Sequence, residues 1–258
     1  MLDIHTTAVV HPKADLGANV VVGPYSVIGP EVVIGDDSWI GAHAVLEGRT
    51  TVGRRNRIFH GAVLGTPPQD LKYRGEKTFL RVGDDNTIRE YATLHLACME
   101  GEATVVGDRC LIMAYAHVAH NCHVGSDVIL ANSVNLAGHV EVHDFAIIGG
   151  VTPVHQFVRI GAYSFIGGGS RVAKDVAPFV KAAGSPLELA GINSIGLERH
   201  GFDEERRATI KRAYRILFRS DLNVTQAVER LKSEFEPSDE DIQTLVRFVE
   251  GSERGIHT

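Results

Sequence analysis

The chain has 258 residues, a formal net charge of −6, 27 glycines and a single tryptophan. The acidic balance argues against a nucleic-acid surface, and its three cysteines do not form the pattern of a secreted disulfide framework. The first residues carry neither a basic stretch nor an apolar signal core, and no apolar run approaches the ~18 residues of a membrane span, so a cytoplasmic protein without a transmembrane segment is the expectation.

From Leu16 onward aliphatic residues recur at every sixth position, through Val22, Ile28, Ile34, Ile40, Leu46, Val52, Ile58 and Leu64. Glycine follows most of them, as at Gly17, Gly23, Gly29 and Gly35. Four residues after most aliphatic positions stands a small or β-branched residue, such as Ser26, Val32, Ser38 and Ala44. A hexapeptide period with glycine at the turns is the signature of a parallel β-helix. Each unit is one short strand and a corner, three units close a coil, and coils stack at about 4.8 Å. A coil cannot bury its own core, so its neighbours complete it. A sandwich of short strands is the alternative, and the unbroken register argues against it. The repeat carries no information about handedness.

The rhythm breaks first between Thr66 and Phe79, where two prolines, a glycine and charged residues mark a projecting loop at 66–79. Such a loop is either a tolerated insertion or the wall of a site. Asp70 and Lys72 alternate across Leu71, so an extended segment directs both to one side. The count resumes at Val82, Ile88 and Leu94, breaks again near 98–105, and then runs without slip from Val106 to Val172. Looping out one unit places Leu94 one coil below Val118. Val118, Leu136, Val154 and Val172 then share a face with it. Beside these positions stand His95, His117, His120, Asn121, Asn135, His139, His155 and Gln156. Solvated histidines would scatter over all faces, so this clustering predicts a functional site. Cys98, Cys110 and Cys122 each fall on the small inward position, which predicts core packing rather than metal ligation.

Neutral imidazole suits general-base work near pH 7. No nucleophile elbow is present, and inward Cys110 and Cys122 leave a covalent mechanism without a candidate. Zinc held by histidines from stacked coils of neighbouring subunits is the rival reading of the cluster.

The hexapeptide rhythm ends near Asp175–Pro178, and Gly184-Ser185-Pro186 reads as a turn. The expected division is therefore a β-helix over 1–185 and a helical part over 186–258. Asp203, Glu204 and Glu205 suit a helix start, followed by an apolar stripe of Ile210, Tyr214, Leu217 and Phe218. A second stripe runs through Val224, Ala227, Val228 and Leu231. Ser238-Asp239-Glu240-Asp241 reads as a capping box before Ile242, Leu245, Val246 and Val249. These helices would cover the open end of the coil. The first carries Arg206, Arg207, Lys211, Arg212, Arg215 and Arg219, either a solvated face or a surface for an acidic protein.

Several segments together resemble the bacterial UDP-N-acetylglucosamine O-acyltransferase family. They are QDLKYRGE (Gln69–Glu76), IREYATLH (Ile88–His95), AHVAHNC (Ala116–Cys122), LAGHV (Leu136–Val140), GGVTPVHQF (Gly149–Phe157) and ERHGF (Glu198–Phe202). The resemblance implies a mainly β, left-handed parallel β-helix with a C-terminal helical domain, assembled as a homotrimer with sites between subunits. It implies transfer of an R-3-hydroxyacyl chain from acyl carrier protein to the 3-position of the UDP-sugar, the first step of lipid A biosynthesis. No cofactor is implied beyond the carrier's phosphopantetheine thioester. His120 matches the general base and the backbone N–H of Gly138 the oxyanion donor. Asp70, Lys72, His95, His117, His139, Gln156, Asn193 and Arg199 match substrate-binding positions, and the clustered His155 is taken with them. Gly168 matches the position that limits acyl length. Another hexapeptide acyltransferase acting on a nucleotide sugar, and a zinc enzyme of carbonic-anhydrase type, are the alternatives.

The chain departs from the family pattern in places. It has His95-Leu96-Ala97-Cys98 where the family has His-Arg-Gly-Thr, and Asn121 where the family has Asp. It has Asn193-Ser194-Ile195-Gly196 where the family has Asn-Ile-Glu-Gly, and Arg199-His200 where the family has paired arginines. An amide beside His120 orients the ring without stabilising its cation. That predicts a weaker base, and motivates a 3-amino sugar as acceptor.

Overall fold

A computed structural model describes residues 2–258. Strands of mostly two residues wind into three sheets, each parallel along the coil. The first face runs from Asp3–Ile4 to Phe165–Ile166, the second from Val9–Val10 to Pro153–Val154, and the third from Asp15–Leu16 to Arg159–Ile160. The fold is a left-handed parallel β-helix, the opposite hand to ordinary parallel crossovers.

Register follows the repeat. On the first face Val22, Ile40, Ile58, Ile88, Ile112, Leu130, Ile148 and Ile166 pair in a single inward ladder. These side chains, and the small residues four positions after them, are almost wholly buried. Strand, corner and core are thus one device: the aliphatic residue fills the centre and the small one leaves room for the bend. The corners place non-glycine residues in the left-handed region, among them Asn121 (φ 59°), His139 (φ 61°) and Phe157 (φ 62°) one above another. Asn tolerates that conformation better than most residues.

Leu94 pairs with Val118, the register obtained by looping out one unit. Cys98 departs from expectation. The ladder shifts register between Leu64 and Thr66, where Thr66 pairs with His95. Leu96 and Ala97 take the buried positions, and Cys98 stays only half-buried. Cys110 and Cys122 are buried as expected.

The sheet does not stop at residue 185. Strands Val180–Ala183 and Glu188–Ile192 form an antiparallel hairpin that ends the first face. Four helices follow: α1 (Ser194–Arg199), α2 (Glu204–Phe218), α3 (Val224–Glu234) and α4 (Glu240–Glu250). Asp203 caps α2, its carboxylate accepting from the Arg206 N–H at 2.8 Å. The capping box lies on α3, between Asn223 and Gln226, while Asp239 rather than Ser238 caps α4. Ile210, Tyr214, Leu217 and Phe218 of α2 are buried, as are the predicted stripes of α3 and α4, apart from Val224. Arg159 ties the cap to the coil, its guanidinium 4.5 Å from the Phe248 ring centroid. No described helix is long and apolar enough to cross a membrane.

Candidate active site

The histidines gather where the second face turns into the third. His117 points outward from the strand His117–Val118, between Thr93 below and Asn135 above. Its Nδ1 lies 2.7 Å from the Thr93 hydroxyl. His95 is buried in the bulge beside it, ring centroids 4.8 Å apart. His120 occupies the corner, with the His139 ring 5.2 Å away on the next coil. His139 stacks in turn on Phe157 at 4.6 Å. His155 does not join them: it is exposed, and its Nδ1 contacts the Gln156 carbonyl at 3.1 Å. Stacking therefore unites four of the five predicted histidines.

Asn121 organises the corner. Its side-chain oxygen accepts from the Cys98 N–H at 3.0 Å and lies 3.0 Å from His120 Nδ1. Its amide nitrogen donates to the Glu102 carboxylate, and its backbone N–H donates to the Thr104 hydroxyl at 2.9 Å. A carboxylate only accepts and a backbone N–H only donates, so both ends of the Asn121 amide are fixed. With Oδ1 an acceptor, His120 must carry its proton on Nδ1. Nε2 is left as the basic nitrogen.

Gly138 lies directly over that nitrogen. A Cβ there would stand 2.5 Å from His120 Cε1 and 2.6 Å from Nε2, so only glycine admits the ring in this position. The Gly138 N–H donates to no acceptor among the described residues. Unpaired N–H groups recur at equivalent corners, but this one belongs to the glycine packed against the His120 ring.

Burial sets the protonation of the cluster. It pushes His95 down to about 4, helped by His117 and His120. His117 is lowered by burial and then by His120. His139 is lowered chiefly by burial, with Glu102 and Asp70 opposing. His95, His117 and His139 are thus held towards their neutral forms. Burial, then Asp70 and Glu102, raise the Cys98 thiol, which stays protonated.

The loop at 66–79 supplies Asp70. The segment is a turn rather than an extended strand, since the Asp70 carboxylate accepts from the Lys72 N–H at 2.9 Å. Asp70 is half-buried and acts on Cys98 and His139, while Lys72 is exposed. Gln156 is exposed two coils above His120.

Asn193, Arg199 and Gly168 lie elsewhere on the chain. Asn193 is buried; it caps α1 and donates to the Tyr163 carbonyl at 2.9 Å. With Arg199 and Lys181 it lines a cleft of about 440 Å³ against the first face. Gly168 stands at the corner between first and second faces, where a Cβ would meet the Gly150 carbonyl at 3.1 Å. The basic helix also changes character. Arg206 pairs with Asp241, Arg207 with Glu198 and Arg212 with Glu234, and Arg219 donates to the Leu189 carbonyl. Lys211 and Arg215 remain, lining a small cleft with Tyr214.

Glu102 and Cys98 are the site residues that repeat counting missed. Their one signal was the break near 98–105, where the period supplies no register. Cys98, His120 and His139 bring one ligating atom each within 4.8 Å of one another. This is a different trio from the histidine set expected for zinc, with a thiol that must lose its proton to bind.

Two family models match: "Udp N-acetylglucosamine O-acyltransferase; Domain 2" over residues 175–257, and the bacterial transferase hexapeptide repeat over 103–138. The acyl-[acyl-carrier-protein]–UDP-N-acetylglucosamine O-acyltransferase of Verminephrobacter eiseniae is 51% identical over 260 residues, covering 99% of each chain. That of Halorhodospira halophila is 49% identical over 257 residues, again covering 99% of each. Among solved structures, a UDP-N-acetylglucosamine acyltransferase from Bacteroides fragilis is similar with a TM-score of 0.95 at 41% identity, covering 98% of this chain and 99% of that one. One from Campylobacter jejuni gives 0.92 at 36%, covering 98% of each chain. Motifs, fold and full-length similarity agree, and the chain belongs to the acyl-carrier-protein-dependent UDP-N-acetylglucosamine O-acyltransferase family.

Proposed function

We propose that this chain transfers an R-3-hydroxyacyl group from acyl carrier protein to the 3-hydroxyl of UDP-N-acetylglucosamine, the first step of lipid A biosynthesis, with His120 as general base. The observation that carries the reading is the pairing of an available His120 Nε2 with the unpaired Gly138 N–H on the same ring. Nε2 takes the proton of the sugar hydroxyl as its oxygen adds to the thioester carbonyl. The carbonyl oxygen gains the charge, which the Gly138 N–H stabilises. Collapse breaks the carbon–sulfur bond, and the imidazolium returns its proton to the departing thiolate. No metal enters these steps.

His95, His117, His139, His155, Gln156, Asp70 and Lys72 are proposed to bind the two substrates around this corner. Asn193, Arg199 and Gly168 lie on another face of the same chain, which supports a site completed by a neighbouring copy. A homotrimer, acting in the cytoplasm, is part of the proposal. Lys211 and Arg215 are the basic residues left free for the acidic carrier protein. The β-helix domain is taken to extend through the hairpin to Ile192, with the helices as the second domain.

The loss of Asp beside His120 was the reason to expect a 3-amino acceptor. Glu102 returns a carboxylate behind Asn121, which removes that reason and favours the hydroxyl sugar. The test is an acyl-transfer assay comparing carrier-protein and CoA thioesters, and 3-hydroxy and 3-amino UDP-sugars, beside His120→Ala. Retained activity in His120→Ala sinks the base assignment. A strong preference for the amino sugar sinks the acceptor, and turnover with CoA alone sinks the donor.

A further inference from the structure

We infer that Glu102 is a positioning residue for the acyl transfer, lending its negative charge to His120 through Asn121. The inference rests on the reading of His120 as base. Asn121 cannot itself stabilise an imidazolium by charge, yet its amide is clamped in one orientation, with Oδ1 on His120 Nδ1 and Nδ2 on the Glu102 carboxylate. A carboxylate accepting from Nδ2 draws electron density through the amide and makes Oδ1 a stronger acceptor, since hydrogen bonds in a chain polarise one another. The Cys98 and Thr104 contacts hold Asn121 in place independently. The arrangement keeps the proton on Nδ1 and stabilises the cation that forms when Nε2 takes the substrate proton. It splits the work of one aspartate between an amide that orients and a carboxylate that carries charge.

The titratable groups gathered around this corner are few. His139 lies on the coil above, and His95 and His117 on the face beside it. Cys98 and Asp70 come from the two breaks in the repeat, and Glu102 stands behind Asn121. The imidazoles are like partners that disfavour a second proton on the cluster. Asp70 and Glu102 are the carboxylates that act on the cluster, through His139 and Cys98, and only Glu102 reaches His120 through hydrogen bonds. Glu102 is exposed toward an open groove of about 830 Å³ whose lining also includes His139 and the buried Asn121, so water weakens its charge without removing it.

Glu102→Gln keeps an acceptor for Nδ2 and deletes the charge alone. It is expected to lower the kcat plateau about tenfold with little change in KM. A carboxylate stabilises the imidazolium by charge, and the amide of Gln does not. The acid limb of the pH–rate profile should move to lower pH by about half a unit. Asn121→Asp sets two carboxylates against each other, one of which must hold a proton, and should be damaged. The double variant Asn121→Asp/Glu102→Gln relieves that clash and puts a carboxylate directly on Nδ1, so it should recover at least about fivefold over Asn121→Asp. A residue that merely pinned its loop would move neither the pH limb nor this coupling. The inference is overturned if Glu102→Gln matches the parent in plateau and limb, or if the double variant is no better than Asn121→Asp. His120→Ala is run alongside: if it stays active, the base reading has failed. If it is dead while Glu102→Gln is unaffected, only the role of Glu102 falls.

Discussion

Gly138→Ala is the sharpest probe of the corner. The added Cβ would stand 2.5 Å from His120 Cε1 and 2.6 Å from Nε2. Carbon contacts settle near ~3.5–4.0 Å, so the imidazole must retreat by about 1 Å. Gly138 is not in the left-handed region, so alanine strains no backbone, and the peptide N–H is kept. The variant therefore displaces the base while leaving the proposed oxyanion donor in place. Misplacing a reacting group by ~1 Å costs roughly 100-fold, or about 2.7 kcal/mol of transition-state stabilisation. The ring must also stretch or break its 3.0 Å contact with Asn121. The assay is steady-state acyl transfer at saturating carrier thioester and UDP-sugar, with thermal melting to confirm an unchanged fold. A fall in kcat with KM nearly constant is the expected result. Full kcat in a folded Gly138→Ala protein would refute the placement of His120 as the reacting group.

Three further outcomes are expected. His95, pushed down to about 4 in the fold against its ordinary 6.5, binds fewer protons folded than unfolded. Its contribution to stability is therefore complete above pH 6.5 and is lost as pH falls toward 4, with a ceiling on the order of 3 kcal/mol; melting curves across that window should flatten in His95→Gln, and an unchanged slope would contradict the burial argument. Added Zn²⁺ should inhibit by taking His120 Nε2 together with His139 and Cys98, whereas chelators should not slow the enzyme; Cys98→Ser should weaken the inhibition at least about tenfold, because thiolate is the preferred zinc ligand. Charge reversal at Lys211 and Arg215 should raise KM for acyl carrier protein about tenfold at low salt and leave a carrier-free pantetheine thioester unaffected; an equal effect on both donors would remove the basic helix from carrier docking.

Most of the coil was legible because one period encodes two facts at once. A residue every sixth position gives the inward ladder, and three repeats give the neighbour above. That arithmetic places Leu94 beneath Val118, whereas Gly138 came from resemblance and its closeness to His120 from the fold. It failed where the chain leaves the period. The register shift at Thr66 and His95 put Cys98 beside the histidines instead of in the core. The Asx turn at Asp70 bent a segment that alternation alone would extend. The hairpin to Ile192 and the short α1 carry no repeat at all. In the helical part the apolar stripes hold apart from exposed Val224, but Ser238 lost the capping position to Asp239, because either side chain can satisfy the same N–H groups.

The site shows the same division with a sharper consequence. His95, His117, His120 and His139 were found together because stacking turns spacing into adjacency. Asn193, Arg199 and Gly168 came only from resemblance, since counting along one coil cannot relate a face of one copy to the corner of another. Glu102 was reachable by neither route: it lies in the second break, where register is undefined, and it does not belong to the motifs that carry the resemblance. Yet it changes the meaning of a residue that was read. Asn121 taken alone is the loss of a charge and argues for a weaker base and an easier nucleophile. Asn121 bonded to Glu102 is a relay, and argues that the charge has moved one residue outward. The substitution at one position and the carboxylate at the other are best understood as a single unit. The double variant Asn121→Asp/Glu102→Gln asks whether that unit can be folded back into one side chain.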